Sequence, residues 1–343
     1  FMERIINWGI IGLGNAALNL AKEFDKIENS KLLAVASITQ KKREFFKKKF
    51  NLISENIYST YDKIFKNKDI DIIFISLPNS MHEEFCIKAI QHNKNILVEK
   101  PITTNLESFK NIKRLFLKKD LLLEEGTANK FHPFYEEVLN KLKQLDYSKI
   151  INLKSSFGND ALGGKKLFGI RLKKINYNKR LFNKKLGGGS ILDGGIYPIS
   201  LLIDLLCLHK KNPNKNFKIL NCKKKLNNNI DLNSCLELKI NNINIKLETS
   251  LIETLNNNFE IEMTDETIIL ENIFNISSET KIISIKNGIF KTINNNFNNS
   301  SYFYEIKKIS QILIENSNNK KIKLDYFSKV EKNISLLDDW IKN

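Results

Sequence analysis

Two separate segments of the sequence hold residues that could do chemistry. Lys100 lies between Glu99 and Pro101 after a short apolar run, and a lysine beside a substrate hydroxyl or carbonyl can stabilise developing negative charge. Asp193 and Tyr197 lie four residues apart after a run of glycines, a spacing that puts both on one face if a helix has begun. A tyrosine needs nearby cations or burial to exchange protons at neutral pH, because its reference pKa is about 10. Lys100 is a candidate for that cation, and the alternative is a lysine merely exposed at a strand end.

A glycine-rich turn near the N-terminus indicates dinucleotide binding. Gly12, Gly14 and Ala17 fill the pattern G-x-G-x-x-G/A, in which bare backbone approaches a pyrophosphate at the start of the following helix. The apolar run before the turn and the helical spacing after it are the context that this pattern needs. We therefore predict a dinucleotide here, with Asn15 and Ala16 among its contacts.

The end of the second predicted strand indicates which dinucleotide binds. An acid there would bond the ribose 2′-hydroxyl of NAD and repel the 2′-phosphate of NADP. This chain instead has the hydroxyls of Ser37 and Thr39, followed by the cations Lys41, Lys42 and Arg43. We predict NADP(H) as the preferred cofactor and NAD(H) as the alternative, with Ser37, Thr39 and Lys42 as contacts. The other interpretation is that the cations only form the exposed start of a helix.

Further cofactor contacts are expected after the third and fourth strands, because open α/β sheets bind ligands at the carboxyl ends of their strands. Pro78 and Asn79 could form the surface beneath the nicotinamide half of the bound dinucleotide. Pro101 fixes the backbone next to Lys100. His82 either joins this site or caps the next helix. The predicted contacts in these two turns are Leu77, Pro78, Asn79, His82, Glu99, Lys100 and Pro101.

The elements that must position these residues alternate between apolar strands and helices. Over residues 1–125 this alternation predicts parallel βαβ units in a doubly wound sheet, a Rossmann dinucleotide-binding domain. After Gly126 the strand candidates 234–240 and 243–248 alternate apolar and polar residues, which indicates a sheet with one wetter face. We therefore predict an α/β protein whose second domain, 126–343, is α+β with an open, mostly antiparallel sheet. The C-terminal helices are candidates to pack back on the first domain.

Composition narrows the classes of function. With 343 residues the chain is long enough for two domains, since single cores stop growing near about 250–300 residues. The formal net charge of +17 raises nucleic acid as a partner, but the lysines are scattered and no nucleic-acid-binding motif is present. We predict a solvated basic surface and no nucleic-acid partner.

Cysteine spacing and hydropathy predict a cytoplasmic protein without a structural metal or a membrane span. The four cysteines are widely spaced and include no C-x-x-C pair, which is typical of a reducing compartment. We also expect that no apolar run approaches the roughly 20 residues that a bilayer requires. The cysteines are Cys86, Cys207, Cys222 and Cys235.

The order of these motifs resembles the Gfo/Idh/MocA oxidoreductases over nearly the whole chain. The resemblance rests on the glycine turn and on residues 77–82, 99–101, 125–133 and 187–197. Within the family the chain looks most like the branch of dimeric dihydrodiol dehydrogenases and glucose-fructose oxidoreductases. The resemblance implies an NAD(P)-dependent dehydrogenase or reductase that acts on a hydroxyl or carbonyl carbon of a sugar, cyclitol or related polyol.

The resemblance also implies roles for particular residues. Lys100 and Tyr197 would be the catalytic pair, Asp193 would orient the substrate, and the open sheet would form a homodimer or homotetramer interface. Relatives with this type of strand end often place arginine after Ser37, where this chain has Ile38. The phosphate clamp would then come from residues 39–43.

Other interpretations remain open at this level. One is a non-catalytic dinucleotide-binding regulatory protein of the same fold, and another is a cofactor-assisted glycoside hydrolase. The basic segment 165–185 either recognises a phosphate or carboxylate on the substrate or is a solvated loop. Its candidate residues are Arg171, Lys173, Lys174, Lys179 and Arg180.

Overall fold

The computed structural model of the protein describes residues 4–163, 166–167, 170–171, 174–210, 217–315 and 320–343. The strands are β1 (Ile6–Ile11), β2 (Ser30–Ala36), β3 (Ile57–Tyr58), β4 (Ile72–Ile75), β5 (Asn95–Glu99), β6 (Leu123–Gly126), β7 (Ile150–Gly158), β8 (Lys166–Leu167), β9 (Ile170–Arg171), β10 (Phe217–Asn227), β11 (Ile230–Ile240), β12 (Ile243–Ser250), β13 (Phe259–Met263), β14 (Thr267–Glu271), β15 (Lys281–Lys286) and β16 (Ile289–Asn294). The helices are α1 (Asn15–Ala21), α2 (Gln40–Lys49), α3 (Tyr61–Phe65), α4 (His82–Gln91), α5 (Leu106–Phe116), α6 (Pro133–Lys143), α7 (Ile196–Leu208), α8 (Ser301–Glu315) and α9 (Lys320–Lys342).

The first sheet confirms the predicted Rossmann architecture. Its six strands lie in the order β3-β2-β1-β4-β5-β6, and the neighbouring strands pair in parallel. All four residues of β4 are buried, as expected for a parallel sheet covered on both faces. The winding reverses between β1 and β4, and the crevice at such a switch point is where this type of sheet binds ligands.

One compact unit of the protein combines residues 1–131 with residues 299–327. Helix α8 supplies Ile306, Ile309 and Leu313 to the apolar core that also contains Trp8. The indole Nε1 of Trp8 donates a hydrogen bond to the Oγ of Ser310 at 3.1 Å. The core of this unit is therefore completed by a segment far along the chain.

The second compact unit comprises residues 132–298 and 328–343. Its eight-stranded sheet has the order β10-β11-β12-β7-β13-β14-β15-β16. Strands β12 and β7 pair in parallel, and the remaining neighbours that the structure describes in this sheet are antiparallel. Strand β11 alternates buried and half-buried residues along its length, so the predicted mostly antiparallel sheet with a wetter face is confirmed.

The segment Lys184–Leu208 corrects the expectation about apolar runs. It is 25 residues long and apolar enough to cross a membrane by length and composition. However, 72% of its apolar window is buried inside the protein, and Leu201, Leu202 and Leu205 in α7 are fully buried. Within the fold, this segment contains the core helix of the second unit.

Candidate active site

The glycine turn after β1 lies against the turn after β4. Gly12 has a φ of +82°, and a Cβ added there would lie 2.5 Å from the carbonyl oxygen of Ser76. Only glycine avoids both the backbone strain and the collision. The N–H of Gly12 donates to the carbonyl of Ala36 in β2 at 3.1 Å, so the turn is fixed to both neighbouring strands.

The end of this turn is open and has free space for a ligand. A Cβ added at Gly14 would meet nothing within 4 Å. Asn15 and Ala16 begin α1 next to it, whereas Ala17 is buried in the core. Among the residues that the structure describes, no side chain caps α1 at Gly14, and the first turn has no acidic residue. The backbone N–H groups at this helix start therefore fit the pyrophosphate of a dinucleotide.

The end of β2 brings Ser37 close to Arg43. Ser37 is buried, and its Oγ accepts a hydrogen bond from the N–H of Thr39 at 3.2 Å. The guanidinium Nη1 of Arg43 donates to the carbonyl oxygen of Ser37 at 2.6 Å. Lys42, the cation predicted from the sequence as a contact, is exposed on α2. Among the cations in residues 41–43, the structure shows a direct hydrogen bond to the strand end for Arg43.

The turns after β4 and β5 meet at His82. Its side chain is fully buried, its Nε2 lies 2.9 Å from the carbonyl oxygen of Leu77, and its Nδ1 lies 2.9 Å from that of Pro101. Asn79 in the first turn is buried, and Pro78 beside it is half-buried. His82 thus lies between the backbones of the two predicted contact turns.

Glu125 holds the second of these turns from the other side. Glu99 and Lys100 are half-buried at the end of β5, and the peptide between Lys100 and Pro101 is cis. The Oε1 of Glu125 accepts from the N–H of Ile102 at 2.8 Å, while its Oε2 accepts from a threonine hydroxyl at 2.9 Å. Glu125 therefore fixes the backbone directly after Pro101.

A group of carboxyls lies behind this turn, within the same unit. Burial raises the pKa of Glu124 to about 8, and a hydrogen bond with the hydroxyl of Tyr326 opposes the shift. Burial, together with the charges of Glu99 and Glu124, raises the pKa of Glu305 well above its usual range. Glu305 is fully buried, and neither carboxyl oxygen has a hydrogen-bond partner among the residues described. The cluster therefore favours protonated acids in the folded protein.

In the second unit, the glycine run before α7 is packed too tightly for side chains. A Cβ at Gly188 would lie 2.5 Å from the carbonyl oxygen of Arg180. Gly189 has a φ of +121°, and a Cβ there would overlap the carboxylate of Asp231. That carboxylate accepts from the Oγ of Ser190 and from the N–H of Ile191, each at 2.7 Å. Asp231 therefore anchors the start of the helix.

The predicted catalytic residues of this unit come directly after the glycine run in the sequence. Asp193 lies in a π-helical turn, Ile191–Gly195, and Tyr197 lies in the first turn of α7. Asp193 accepts a hydrogen bond through Oδ1 from the Nη2 of Arg180 at 3.0 Å. The ring of Tyr197 packs against Phe157, with ring centroids 4.5 Å apart. A single π-helical turn inside a helix is often found at functional sites.

Comparison with known proteins identifies the family of the N-terminal part. Residues 6–127 match the family described as oxidoreductases with an NAD-binding Rossmann fold. This family is Gfo/Idh/MocA, the one that the motifs resemble. The resemblance predicted from the motifs is therefore confirmed.

Curated relatives with this type of domain act on sugars or diols, according to their names. The trans-1,2-dihydrobenzene-1,2-diol dehydrogenase of Xenopus tropicalis is 25% identical over 197 residues, 57% of this chain and 55% of the relative. The dTDP-3,4-didehydro-2,6-dideoxy-alpha-D-glucose 3-reductase of Saccharopolyspora spinosa is 26% identical over 198 residues, with the same two shares. The matched part spans about half the length of these relatives.

A solved structure extends the likeness of fold to both units. A 3-ketoreductase from Actinomadura kijaniata, crystallised with NADP and TDP-benzene, has a TM-score of 0.81 and 17% sequence identity. The likeness covers 98% of this chain and 96% of the ketoreductase. It shows that the chain has the same fold as this ketoreductase over both units.

Three residues have supporting contacts at the site that the sequence alone did not specify. Arg180 was one of several basic residues in segment 165–185, and nothing distinguished it from Lys174 and Lys179, which are exposed. Lys173 and the side chain of Arg171 lie outside the described residues. The supporting roles of Glu125 and Asp231 depend on contacts with distant segments. In the sequence, Glu125 and Asp231 stand out only as acidic residues within strands that are otherwise apolar or that alternate apolar and polar residues.

Proposed function

We propose that the protein is an NADP(H)-dependent oxidoreductase that interconverts a hydroxyl and a carbonyl on a sugar, cyclitol or related polyol. The observation that carries this proposal is the glycine turn at the switch point of the first sheet. Only glycine fits at Gly12, and Gly14 leaves open space beside an uncapped helix start. The family of residues 6–127 and the names of the relatives support the same class of reaction.

The proposed cofactor contacts are those predicted from the sequence, with one addition. Arg43 joins them, because its hydrogen bond to the carbonyl of Ser37 keeps a guanidinium at the strand end where a 2′-phosphate would bind. The complete set is Gly12, Gly14, Asn15, Ala16, Ala17, Ser37, Thr39, Lys42, Arg43, Leu77, Pro78, Asn79, Glu99, Lys100 and Pro101, together with His82, which is fully buried and belongs to the site through the two turns that it holds.

The catalytic roles fall to Lys100, Tyr197 and Asp193. When bound, NADP(H) accepts or supplies the hydride at its nicotinamide ring. Tyr197 moves the proton on the substrate oxygen, acting as general acid or base. Lys100 stabilises partial negative charge on that oxygen, and Asp193, with Arg180, orients the substrate.

Substitution of the catalytic pair tests these roles. Lys100→Met and Tyr197→Phe should each lower turnover by about 100-fold or more, while both variants still bind NADP. The matched controls are Lys110→Met and Tyr177→Phe, which alter an exposed lysine and a tyrosine outside the proposed site. Full turnover in Lys100→Met or Tyr197→Phe would contradict the assignment.

Ligand binding tests the substrate class. A ligand that binds only the folded protein raises its apparent stability. We expect thermal shifts with NADP, and additional shifts when a sugar, cyclitol or nucleotide-linked sugar is added to the NADP complex. A larger shift with NAD than with NADP at equal concentration would contradict the cofactor preference.

We also propose that the protein forms homodimers or homotetramers through the open sheet of the second unit. Strand β16 lies at the edge of this sheet, and the exposed fractions of Ile289, Phe290 and Ile293 are 65%, 68% and 48%. Exposed apolar edge strands are prone to pair with another chain. Light scattering should show an oligomer that Phe290→Lys weakens, and a monomeric wild-type protein would contradict the proposal.

The state of the cysteines supports a cytoplasmic location. All four are free thiols, and Cys86 is fully buried, as is typical of proteins from a reducing compartment. Intact-mass measurement after thiol alkylation of the unfolded protein should count four reactive thiols. A disulfide in protein purified from its natural compartment would contradict this location.

A further inference from the structure

His82 makes two contacts with carbonyl oxygens that a neutral imidazole cannot both satisfy. The Nδ1–O distance to Pro101 and the Nε2–O distance to Leu77 are each 2.9 Å. A carbonyl oxygen only accepts hydrogen bonds, whereas a neutral imidazole has one N–H and one lone pair. With either neutral tautomer, one contact would place a lone pair of nitrogen against the oxygen.

Burial makes this mismatch costly. The side chain of His82 is 0% exposed, so bulk water cannot replace the missing hydrogen bond. Leaving one polar group unsatisfied in the interior costs about 1–3 kcal/mol. The imidazolium form donates from both nitrogens and satisfies both carbonyls. Rotating the ring by 180° would turn carbon atoms toward the carbonyls and lose both hydrogen bonds.

The contacts that hold a cation at this position are the two carbonyl oxygens, and the ionisable groups near it in the chain have partners of their own. His82 begins α4, where the helix dipole disfavours positive charge. In the same turn of α4, the carboxylate of Glu83 accepts hydrogen bonds from Ser108 and Asn111, and Glu84 pairs with Lys88. Glu99 and Lys100 end the strand before Pro101, and beyond Pro101 the carboxylate of Glu125 holds Ile102.

The two carbonyls belong to different parts of the proposed nucleotide site. Leu77 leads into the turn with Pro78 and Asn79, and Pro101 follows Lys100. We propose that His82 is held as an imidazolium and is the positioning residue that fixes the turn of Lys100 relative to the turn of Asn79. The proposal rests on the proposed function for its kinetic consequences, but not for the protonation state.

The protonation state can be measured in the wild-type protein. With ¹⁵N-labelled histidine, two-bond ¹H–¹⁵N correlation spectra distinguish an imidazolium from each neutral tautomer. Assignment by His82→Gln should identify the His82 signals, and at pH 7.5 both nitrogens should carry protons. A neutral tautomer of His82 at that pH would overturn the proposal, even if the enzyme is active.

Two conservative variants separate the two hydrogen bonds. The amide nitrogen of glutamine can replace Nε2 and keep the bond to Leu77, whereas that of asparagine can replace Nδ1 and keep the bond to Pro101. We expect His82→Gln to lower kcat by about tenfold with little change in the NADP dissociation constant. His82→Asn should mainly weaken NADP binding, again by about tenfold.

His92 provides a matched control at the other end of the same helix. It is exposed, and its ring has one carbonyl contact, with Lys88. His92→Gln and His92→Asn should leave both kcat and the NADP dissociation constant unchanged. Equal losses of kcat and NADP affinity in the two His82 variants would overturn the positioning role. An imidazolium at His82 in a protein without oxidoreductase activity would instead contradict the proposed function alone.

Discussion

The Nη2 of Arg180 lies 3.0 Å from the Oδ1 of Asp193, and this ion pair joins the basic segment to a predicted catalytic residue. Both side chains are partly exposed, at 38% and 22%. A guanidinium has five N–H donors, so Arg180 can hold Asp193 and still offer donors to a substrate hydroxyl or anion. The pair therefore indicates a role for one residue of a segment that otherwise has the composition of a solvated loop.

Arg180→Gln should impair catalysis much more than stability. Loss of a charge-assisted hydrogen bond at Asp193 should lower kcat/KM by about tenfold, or about 1.4 kcal/mol. The free energy of unfolding should change by less than about 1 kcal/mol, because the pair is partly exposed. Steady-state kinetics and urea unfolding measure the two effects. Lys184→Gln, which alters an exposed lysine nearby, is the control, and equal kinetic losses in both variants would argue against the role of Arg180.

Gly14→Ala should separate nucleotide binding from folding. Gly14 has an ordinary φ of −94°, and a Cβ there has open space. The variant should therefore unfold at the wild-type temperature yet bind NADP about tenfold or more weakly, because the methyl group occupies space proposed for the pyrophosphate. Gly12→Ala should instead be destabilised by about 1–3 kcal/mol, because of its positive φ and the collision with Ser76. Wild-type NADP affinity in Gly14→Ala would contradict the proposed site.

Arg43→Ala should change cofactor preference. If this guanidinium binds the 2′-phosphate, the variant loses about tenfold in NADP affinity while NAD affinity stays constant. Fluorescence titration with both nucleotides gives the ratio directly. Lys42→Ala tests the cation predicted from the sequence, and Lys48→Ala, an exposed position on the same helix, is the control. A larger effect at Lys42 than at Arg43 would assign the phosphate contact to Lys42.

The buried carboxyls predict that stability decreases as pH rises. Glu305 and Glu124 have raised pKa values in the folded state, whereas unfolded glutamates release their protons near about pH 4.3. Between that pH and about 8, the value for Glu124, the folded state binds more protons than the unfolded chain. The free energy of unfolding should therefore fall over this range.

Glu305→Gln should reduce this loss. A glutamine in the same position does not titrate, so the unfolded chain no longer gains stability by releasing the proton of residue 305. The variant should therefore be more stable than wild type by at least about 1 kcal/mol at pH 8. The difference should shrink toward pH 5. Urea unfolding at pH 5, 6.5 and 8 measures it, with Glu315→Gln at the exposed end of α8 as the control. An equal pH slope in wild type and Glu305→Gln would contradict the role of Glu305.

Local patterns were sufficient to predict the first sheet and its glycine turn. Gly12 and Gly14 lie within one short turn. The neighbouring strands β1 and β4 are continuous apolar segments, and nearly all of their residues are buried. The turn around Lys100 was predictable only in part, because strand β5 and Pro101 were apparent locally but the contacts of the turn with His82 and Glu125 were not.

Contacts between distant segments were not predictable from these patterns. His82 contacts Pro101 nineteen residues away, and Asp231 anchors Ser190 from 41 residues away. Such pairings depend on sheet register and on the packing of loops, which a single sequence does not encode in its local spacing. Helix α8 likewise has the pattern of an amphipathic helix, but that pattern does not specify which core it completes.

The hydrogen bond between Trp8 and Ser310 has a consequence for synthesis of the chain. The nucleotide-binding unit takes its core from both ends of the sequence, residues 1–131 and 299–327. A ribosome that has translated only the first half therefore carries a nascent unit whose apolar surface is still uncovered. The core of this unit is therefore complete only after α8 has left the exit tunnel.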